Sequence, residues 1–364
     1  MNKNNKKKYK IAILGLAPFH YHIPLYQKIS DSKQIDLRVY YCSDLKGEIL
    51  LTDKEEILRD YNYKFVKNYS PFPFLLGKWF GAINFEICKE IKKNKYDAII
   101  FQHWDKVTSW LAFLTCLFYK IPILFMTDTN SLSNESKSKW KLLLKRFIFS
   151  KILFKRASGF LTSGIANKEF YKKYKVSPEK LINFHYSFGY EWFLKKAKNL
   201  IFCREENRKE FGIKDDDFVI LYVGRLSEEK DIFTLLNAYK DVKYKSKKLF
   251  LIGAGPLDCE LKEYVKLLGI EGVFFVGFQH RETILKFYYA SNVLVLPSIN
   301  ETWGNVVNEA MCLSLPIIAS DKVGAVADLV KDGYNGFIFP SGNAEKLSIC
   351  IDKLINLSLE QRNN

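Results

Sequence analysis

Residues 297–316 read PSINETWGNVVNEAMCLSLP, and the rest of the chain can be interpreted outward from them. The apolar run Val293–Leu296, directly before this stretch, predicts a buried strand. A loop over 298–304, a helix over about 305–313 and a second buried strand over 316–319 are predicted to follow. The order strand, loop, helix, strand is typical of an α/β domain with a parallel sheet.

Two glutamates in this stretch, Glu301 and Glu309, stand eight positions apart. A continuous helix would place them ~12 Å apart along its axis. Carboxylate pairs that cleave glycosidic bonds lie closer, at about 5 to 9.5 Å, so this spacing suits the two ends of one elongated ligand. Gly304 and Asn305 lie between the glutamates at the predicted helix start, where free backbone N–H groups favour an anion such as a phosphate.

The pattern Glu301-x7-Glu309, followed by Ala310-Met311 and by PIIAS at 316–320, resembles the C-terminal domain of the family-4-type (group 1) retaining glycosyltransferases. The resemblance implies the GT-B fold, an α/β architecture of two Rossmann-like domains with a nucleotide-sugar cleft between them. It also implies that the first glutamate faces the donor sugar and that the second holds the ribose hydroxyls. The alternative is an ordinary α/β segment with two solvated glutamates.

A second group of residues in the same half supports this resemblance. The predicted strand 218–223 ends at Gly224, and Arg225 and Lys230 lie on the turn that follows. Two fixed positive charges at the carboxyl end of a strand suit a diphosphate, since Arg binds it bidentately and Lys as a point charge. The family has a similar Gly-Arg-Leu…Lys segment, which implies donor binding here; two surface cations are the alternative. The resemblance also implies that the nucleotide base packs at Phe278, which is otherwise a core residue.

Apolar runs alternate with helical segments through the first half of the chain as well. Runs that predict buried strands lie at 10–15, 35–41, 96–101, 122–126 and, last in this half, 159–164. Residues 43–80 predict an irregular insertion. The resemblance is specific over 218–340 and only architectural over 10–200. The predicted boundary near residue 198 gives an acceptor-side domain over 1–198 and a nucleotide-sugar-binding domain over 199–364.

Polar residues at the ends of first-half strands are candidates for the acceptor side. His103 follows a predicted strand at its carboxyl end, where open α/β sheets place their ligands, and it is our candidate for contact with the reacting sugar. The alternative is a structural histidine bonded to a loop carbonyl. His20 and His22, in the loop after the first strand, are candidates for contact with the acceptor or else loop residues without chemistry. Asp128, which ends another strand, is an acceptor-side residue or only a cap.

The segment 137–156 is strongly basic: eight of its twenty residues are Lys or Arg and none is acidic. Its apolar residues recur at helical spacing: Trp140, Leu143, Leu144, Phe147 and Ile148. A basic amphipathic helix with an aromatic anchor suits an anionic membrane surface. The alternative is a domain helix with one face in the core, because Leu142, Phe149 and Phe154 widen the apolar face.

The composition limits the possible classes of function. The chain has 364 residues, 48% of them hydrophobic, and a net charge of +16, which predicts two globular domains and an anionic partner. Its seven cysteines are scattered without a Cys-x-x-Cys pair, which argues against a zinc site and a disulfide framework and fits a reducing cytoplasm. No nucleic-acid-binding signature accompanies the charge. The apolar window 107–126 contains Lys120 and Pro122, so it predicts a buried helix and strand and not a membrane span.

The resemblance implies a retaining glycosyltransferase that moves a sugar from a UDP- or GDP-sugar to an acceptor hydroxyl. The acceptor is expected to be a glycan or a lipid-linked glycan of cell-surface polysaccharide synthesis, reached from the cytoplasm at the inner face of the membrane. The leaving phosphate oxygen is expected to take the acceptor's proton, and neither a metal nor a cofactor is expected. The alternatives are a non-catalytic nucleotide-sugar or polyanion-binding protein and a nucleotide-sugar epimerase of the same fold.

Overall fold

The chain forms two compact domains. The computed structural model describes residues 8–19, 21–43, 58–72, 79–132, 139–184, 189–200 and 203–357. The first domain contains the described residues up to Thr129 and those from 139 to Gly189. The second contains 130–132 and the described residues from Tyr190 onward.

The chain passes into the second domain at the start of the helix Tyr190–Leu200. This helix packs on second-domain residues. The ring of Phe193 lies 6.1 Å from that of Tyr288, and the Tyr289 hydroxyl donates a 2.7 Å hydrogen bond to the Ala197 carbonyl oxygen. The boundary near 198 that the sequence suggests therefore falls inside a second-domain helix, and the first domain ends before it.

The first domain is built on a sheet in which seven described strands are parallel. They are β1 (Tyr9–Gly15), β2 (Ile35–Tyr41), β3 (Asn62–Phe65), β4 (Ala98–Phe101), β5 (Ile123–Phe125), β6 (Gly159–Thr162) and β7 (Leu181–Asn183). Their order in the sheet is β3-β2-β1-β4-β5-β6-β7. The winding reverses between β1 and β4, so the loops after these two strands meet at a topological switch point.

Two of these strands differ from the sequence-based expectation. Residues 43–80, predicted to be irregular, contain β3, and β7 follows the run that is predicted to be last. β3 is an edge strand whose four residues are exposed or half-buried, so it has no apolar run to reveal it. β7 has three residues, of which only Leu181 is buried.

The first domain has six α-helices among its described residues. They are α1 (Ile23–Ser30), α2 (Glu86–Asn94), α3 (Val107–Phe118), α4 (Lys139–Phe147), α5 (Phe154–Arg156) and α6 (Ile165–Lys173). A π-helical turn, Ile148–Leu153, joins α4 to α5, and 3-10 turns lie at Trp79–Gly81 and Pro178–Lys180. None of the helices in the described residues is long and apolar enough to cross a membrane.

Aromatic rings pack around the half-buried Trp104 beside the core of the first domain. The Trp104 ring stacks on Phe170 of α6 with 5.9 Å between centroids. It also contacts Phe149 at 5.1 Å, Phe154 at 5.6 Å and Phe125 of β5 at 5.9 Å. One indole therefore joins the sheet, the π-helical turn, α5 and α6.

We expect Trp104→Ala to lower the free energy of unfolding of the first domain by about 3 kcal/mol or more, because it leaves a cavity among four rings. Urea denaturation followed by circular dichroism measures this loss. Trp140→Ala is the matched control. Since the Trp140 side chain is 64% exposed, we expect its loss to change stability by less than about 0.5 kcal/mol. Equal losses for both variants would contradict the central role of Trp104.

The second domain is also built on a parallel sheet, with six strands among the described residues. They are β8 (Phe218–Val223), β9 (Lys247–Ile252), β10 (Val273–Gly277), β11 (Val293–Leu296), β12 (Ile317–Ser320) and β13 (Gly336–Phe339). Their order is β10-β9-β8-β11-β12-β13. β8 and β11 are neighbours and are buried throughout, as their continuous apolar runs predict. The switch point of this sheet lies at their carboxyl ends.

Eight described helices accompany the second sheet. They are α7 (Tyr190–Leu200), α8 (Arg204–Glu210), α9 (Ile232–Asp241), α10 (Asp258–Leu267), α11 (Arg281–Ala290), α12 (Asn305–Cys312), α13 (Val326–Leu329) and α14 (Ala344–Asn356). A 3-10 turn, Glu228–Lys230, precedes α9. Strands and helices alternate through both domains, which confirms the prediction of two Rossmann-like domains.

Candidate functional site

The loops after β8 and β11 are joined by backbone hydrogen bonds. The backbone N–H groups of Ile299 and Asn300 donate to the Glu229 carbonyl oxygen, at 3.0 and 3.3 Å. These bonds bring the 3-10 turn Glu228–Lys230 alongside the loop that carries Glu301. The switch point of the second sheet therefore gathers the residues that the sequence assigns to the donor sugar and the diphosphate.

Lys230 and Glu301 form an ion pair between the lysine Nζ and the glutamate Oε2. Both side chains are mostly buried, with 18% and 15% of their surface exposed. Each charge in this pair has lost much of its hydration. The pair therefore contributes more to stability than an exposed ion pair only if both partners keep their hydrogen-bonding geometry. The structure thus joins two residues that the sequence assigns to different parts of the donor.

The backbone of Glu301 is fixed from three directions. Its N–H donates to the Lys322 carbonyl oxygen at 3.2 Å, and its own carbonyl oxygen accepts from the Gly324 N–H at 3.0 Å. The Asn130 amide donates to the carbonyl oxygens of both Glu301 and Thr302, each at 2.9 Å. Asn130 is 1% exposed, so these bonds are shielded from water. No sequence motif marks Asn130 for this role; its position shortly after β5 is the only indication.

Gly304 begins α12, as the sequence predicts, and it has a left-handed backbone with φ of 96°. This conformation favours glycine. The Asn305 Oδ1 at the first helical position is buried and accepts no hydrogen bond from any described residue, and the same holds for the Ser298 hydroxyl at the end of β11. Buried polar atoms are usually paired, so these two are candidates to bind a ligand's polar groups.

Glu309, one turn further along α12, is held by Tyr288, a residue that no sequence motif marks. The Tyr288 hydroxyl of α11 donates a 2.9 Å hydrogen bond to the Glu309 Oε2. Burial raises the pKa of Glu309, while the positive charge of Arg281 and the bond from Tyr288 oppose that rise. Burial in turn lowers the pKa of Arg281, and the Glu309 charge opposes it. Glu309 is therefore the centre of a carboxylate, phenol and guanidinium cluster.

The turn after β8 is packed against the turn after β9. Gly253 has φ of 137°, and a Cβ atom there would lie 1.9 Å from the Gly224 carbonyl oxygen. A Cβ at Gly255 would lie 2.1 Å from the Leu226 carbonyl oxygen. Arg225, on the first of these turns, is exposed, and the Tyr222 hydroxyl donates to its carbonyl oxygen at 2.9 Å. The two turns fix the backbone of Arg225 while its side chain faces solvent.

Phe278 follows β10 and is 59% exposed. Its ring meets the His280 ring edge-on, with 5.9 Å between centroids. The alternative that Phe278 is a core residue is therefore wrong. An exposed aromatic ring beside the carboxyl end of a parallel strand is available for stacking with a planar ligand.

The first domain contains a small open cleft that brings two predicted acceptor-side residues together. His22 and Asp128 line it, with Ser163 and Phe184 among the other lining residues. Burial raises the pKa of Asp128 to about 6. His22 Nδ1 lies 3.4 Å from the Gln102 amide nitrogen. His20, the third acceptor-side candidate, lies outside the described residues.

His103 is at the switch point of the first sheet but is not among the residues that line this cleft in the described chain. Its Nδ1 lies 2.6 Å from the Ser109 hydroxyl oxygen, and its Nε2 lies 3.9 Å from the Cys42 sulfur. Burial lowers the pKa of His103 to about 4, against the opposing charge of Asp105. The imidazole is therefore neutral at neutral pH, and a serine hydroxyl holds it in place.

We expect the His103 imidazole to remain neutral down to about pH 5. Because its pKa is lower in the folded chain than in the unfolded chain, the unfolded state binds a proton first as the pH falls. Folding stability is then lost between about pH 6.5 and pH 4. The measurements are a histidine NMR titration and urea denaturation across this pH range. In His103→Gln the loss should be smaller; a His103 resonance that titrates near pH 6.5 would contradict the prediction.

Two parallel-sheet domains with switch-point loops, a glycine-opened helix and the Glu301 and Glu309 pair are the features of a GT-B glycosyltransferase. Residues 203–364 match the family of group 1 glycosyl transferases. The second domain of the chain thus carries a group 1 glycosyltransferase domain, and the predicted resemblance is confirmed.

The known proteins to which the chain is similar agree with this family. An uncharacterized glycosyltransferase, MJ1059 of Methanocaldococcus jannaschii, is 29% identical over 346 residues, covering 87% of this chain and 75% of the relative. The capsular polysaccharide biosynthesis glycosyltransferase CapM of Staphylococcus aureus is 34% identical over 150 residues, covering 41% and 39%. The match to CapM, like that to MJ1607 of M. jannaschii at 38%, spans less than half of the relative's length.

Solved structures share the fold at low sequence identity. HepE of Anabaena in complex with UDP and glucose superposes with a TM-score of 0.71 at 18% identity, over 98% of this chain and 92% of that one. WaaG, a glycosyltransferase involved in lipopolysaccharide biosynthesis, superposes with a TM-score of 0.63 at 15% identity, over 97% and 92%. These matches extend the common architecture across both domains.

Proposed function

We propose that the protein is a retaining glycosyltransferase that moves a sugar from a nucleotide diphosphate sugar to an acceptor hydroxyl. The observation that carries the proposal is the gathering of Lys230, Arg225 and Glu301 at the second switch point, with Glu309 along the same helix that Gly304 opens. The structure of HepE with UDP and with UDP-glucose supports a UDP-sugar as the donor. The similarity to CapM supports an acceptor of polysaccharide synthesis.

In this proposal the second domain binds the leaving diphosphate. Arg225 and Lys230 supply positive charge, and the N–H groups at the start of α12 supply hydrogen bonds; such fixed groups stabilise charge that develops in the transition state. A phosphate that binds Lys230 competes with the Glu301 carboxylate for it. Donor binding would then release Glu301 to orient the sugar and to stabilise positive character at its anomeric carbon.

Glu309 would hold the ribose of the donor. A carboxylate accepts hydrogen bonds from two neighbouring hydroxyls, and the Tyr288 bond to Oε2 orients the group for this task. Arg281 favours the ionised form of Glu309 against the effect of burial. Phe278, exposed after β10, would pack against the nucleotide base.

The first domain would bind the acceptor. His22 and Asp128 line its cleft and can bond hydroxyl groups, and neutral His103 can donate to or accept from a sugar hydroxyl. The acceptor hydroxyl oxygen forms the new bond to the anomeric carbon while the bond to the phosphate oxygen breaks. That phosphate oxygen takes the acceptor's proton on the same face, so no protein nucleophile, metal or cofactor is required. We propose a glycan or a lipid-linked glycan as the acceptor.

Thermal denaturation with UDP, GDP and ADP tests the donor site. We expect one nucleotide to raise the melting temperature. Arg225→Ala and Glu309→Ala should each weaken its binding by about tenfold or more, because each removes a hydrogen bond to or from a charged group. Lys331→Ala, which removes an exposed cation elsewhere in the second domain, is the control and should not change the shift. No shift with any nucleotide would contradict donor binding.

With the donor identified, the stereochemistry and the role of Glu301 can be tested together. We expect the product to keep the anomeric configuration of the donor, as measured by proton NMR. Glu301→Gln should lower kcat by about 10²- to 10³-fold while the nucleotide shift persists, because its charge acts on the transition state. An inverted product would contradict the retaining mechanism. An epimerised sugar nucleotide formed without an acceptor would indicate an epimerase.

A further inference from the structure

The basic segment 139–156 presents two apolar faces with different surroundings. Phe149, Leu153 and Phe154 are buried, at 8%, 2% and 3% exposure, and lie in the first-domain core. Four apolar side chains of α4 are exposed instead: Trp140 (64%), Leu143 (65%), Leu144 (50%) and Phe147 (58%). We call these four residues the α4 stripe. The core thus contains only one of the two faces, and the stripe lies outside it.

The helix geometry explains the separation. The four stripe residues follow i, i+3, i+4, i+7 spacing, which places them on one side of an α-helix. The π-helical turn Ile148–Leu153 takes more residues per turn than an α-helix. Side chains after Phe147 therefore do not continue the direction of the stripe, and Phe149 turns into the core instead. The Lys145 Nζ lies 5.6 Å from the Phe149 ring centroid, at the border of the two faces.

The charge around the stripe indicates what covers it. Residues 139–156 contain seven Lys or Arg and no acidic residue. Lys145, Arg146, Lys151, Lys155 and Arg156 are exposed. A second copy of this chain bound through the same stripe would bring like charges together, which costs free energy. An anionic bilayer fits both the exposed apolar stripe and the positive charge around it. Its interface accepts Trp, Leu and Phe side chains, and its headgroups attract the cations.

We propose that the α4 stripe inserts into the interface of a membrane rich in anionic lipid and that the five exposed cations from Lys145 to Arg156 contact its headgroups. The helix lies in the plane of the interface and does not span the bilayer. This proposal does not depend on the sugar transfer proposed above. If both hold, the first domain would meet a lipid-linked acceptor at the surface where that acceptor is embedded.

Flotation of the full chain with vesicles tests the proposal. We expect binding to vesicles of phosphatidylglycerol and phosphatidylcholine at physiological salt, weaker binding to phosphatidylcholine alone, and release as salt is raised. Leu143→Ser with Leu144→Ser should weaken binding by about tenfold or more, because it removes buried apolar area. The matched control is Leu267→Ser with Tyr334→Ser, which changes second-domain residues that are 81% and 69% exposed and should leave binding intact.

Charge and depth can be measured separately. Lys151→Gln and Lys155→Gln should each weaken binding by about fivefold, since each basic residue near an anionic surface is worth about 1 kcal/mol. In Trp140→Phe binding should persist, but the blue shift of tryptophan fluorescence on adding vesicles should disappear. Weaker membrane binding in the leucine and lysine variants, with an unchanged nucleotide thermal shift, would separate membrane docking from donor binding.

Three results would overturn the proposal. The first is no flotation of the native chain with anionic vesicles at physiological salt. The second is binding that the Leu143 and Leu144 substitutions do not weaken. The third is a concentration-dependent dimer, seen by sedimentation, that the same substitutions abolish, since it would assign the stripe to a second copy of the chain.

Discussion

The side-by-side pairing of two buried parallel strands is the constraint on which the candidate donor site depends. β8 and β11 are hydrogen-bonded neighbours although two strands, β9 and β10, and three helices, α9 to α11, separate them along the chain. Parallel pairing places their carboxyl ends at one edge, so the loops that carry Lys230 and Glu301 meet there. The backbone bonds from Ile299 and Asn300 to Glu229 join the two loops, and Lys322, Gly324 and Asn130 fix the backbone of Glu301 within its loop. The chemistry of the site is thus a consequence of strand order, and strand order follows from which apolar runs must be buried on both faces.

Burial affects charge differently in the two domains. In the first domain it acts on single groups: it raises the pKa of Asp128 and lowers that of His103, so both are shifted toward their neutral forms. In the second domain the charged groups have partners. Glu301 is paired with Lys230, and Glu309 has Tyr288 and Arg281 beside it. The neutral imidazole of His103 can exchange hydrogen bonds with uncharged hydroxyl groups, whereas paired charges suit a ligand that itself carries charge and can exchange with one partner.

The sequence predicted the features that are local in the chain. Continuous apolar runs located β8 and β11, and Gly304 marked the start of α12, because burial and backbone conformation leave direct traces in residue type. The partners of the site residues could not be predicted in this way. Tyr288 reaches Glu309 from another helix, and Asn130 reaches Glu301 from a segment that lies in the first half of the sequence but in the second domain. β3 was missed because an edge strand with exposed residues lacks an apolar run, and the neutral state of His103 depends on burial that no motif encodes.

The π-helical turn between α4 and α5 sets the angle between the exposed apolar face of α4 and the buried apolar face of the residues that follow. A π turn inside a helix behaves like the insertion of one residue, and one residue rotates an α-helix by about 100°. Deleting a single residue within 148–153 would therefore rotate the outer helix relative to the anchored one without changing any side chain on it. In evolution or in design, the direction in which this surface faces can thus change independently of its composition, and the length of one short turn determines it.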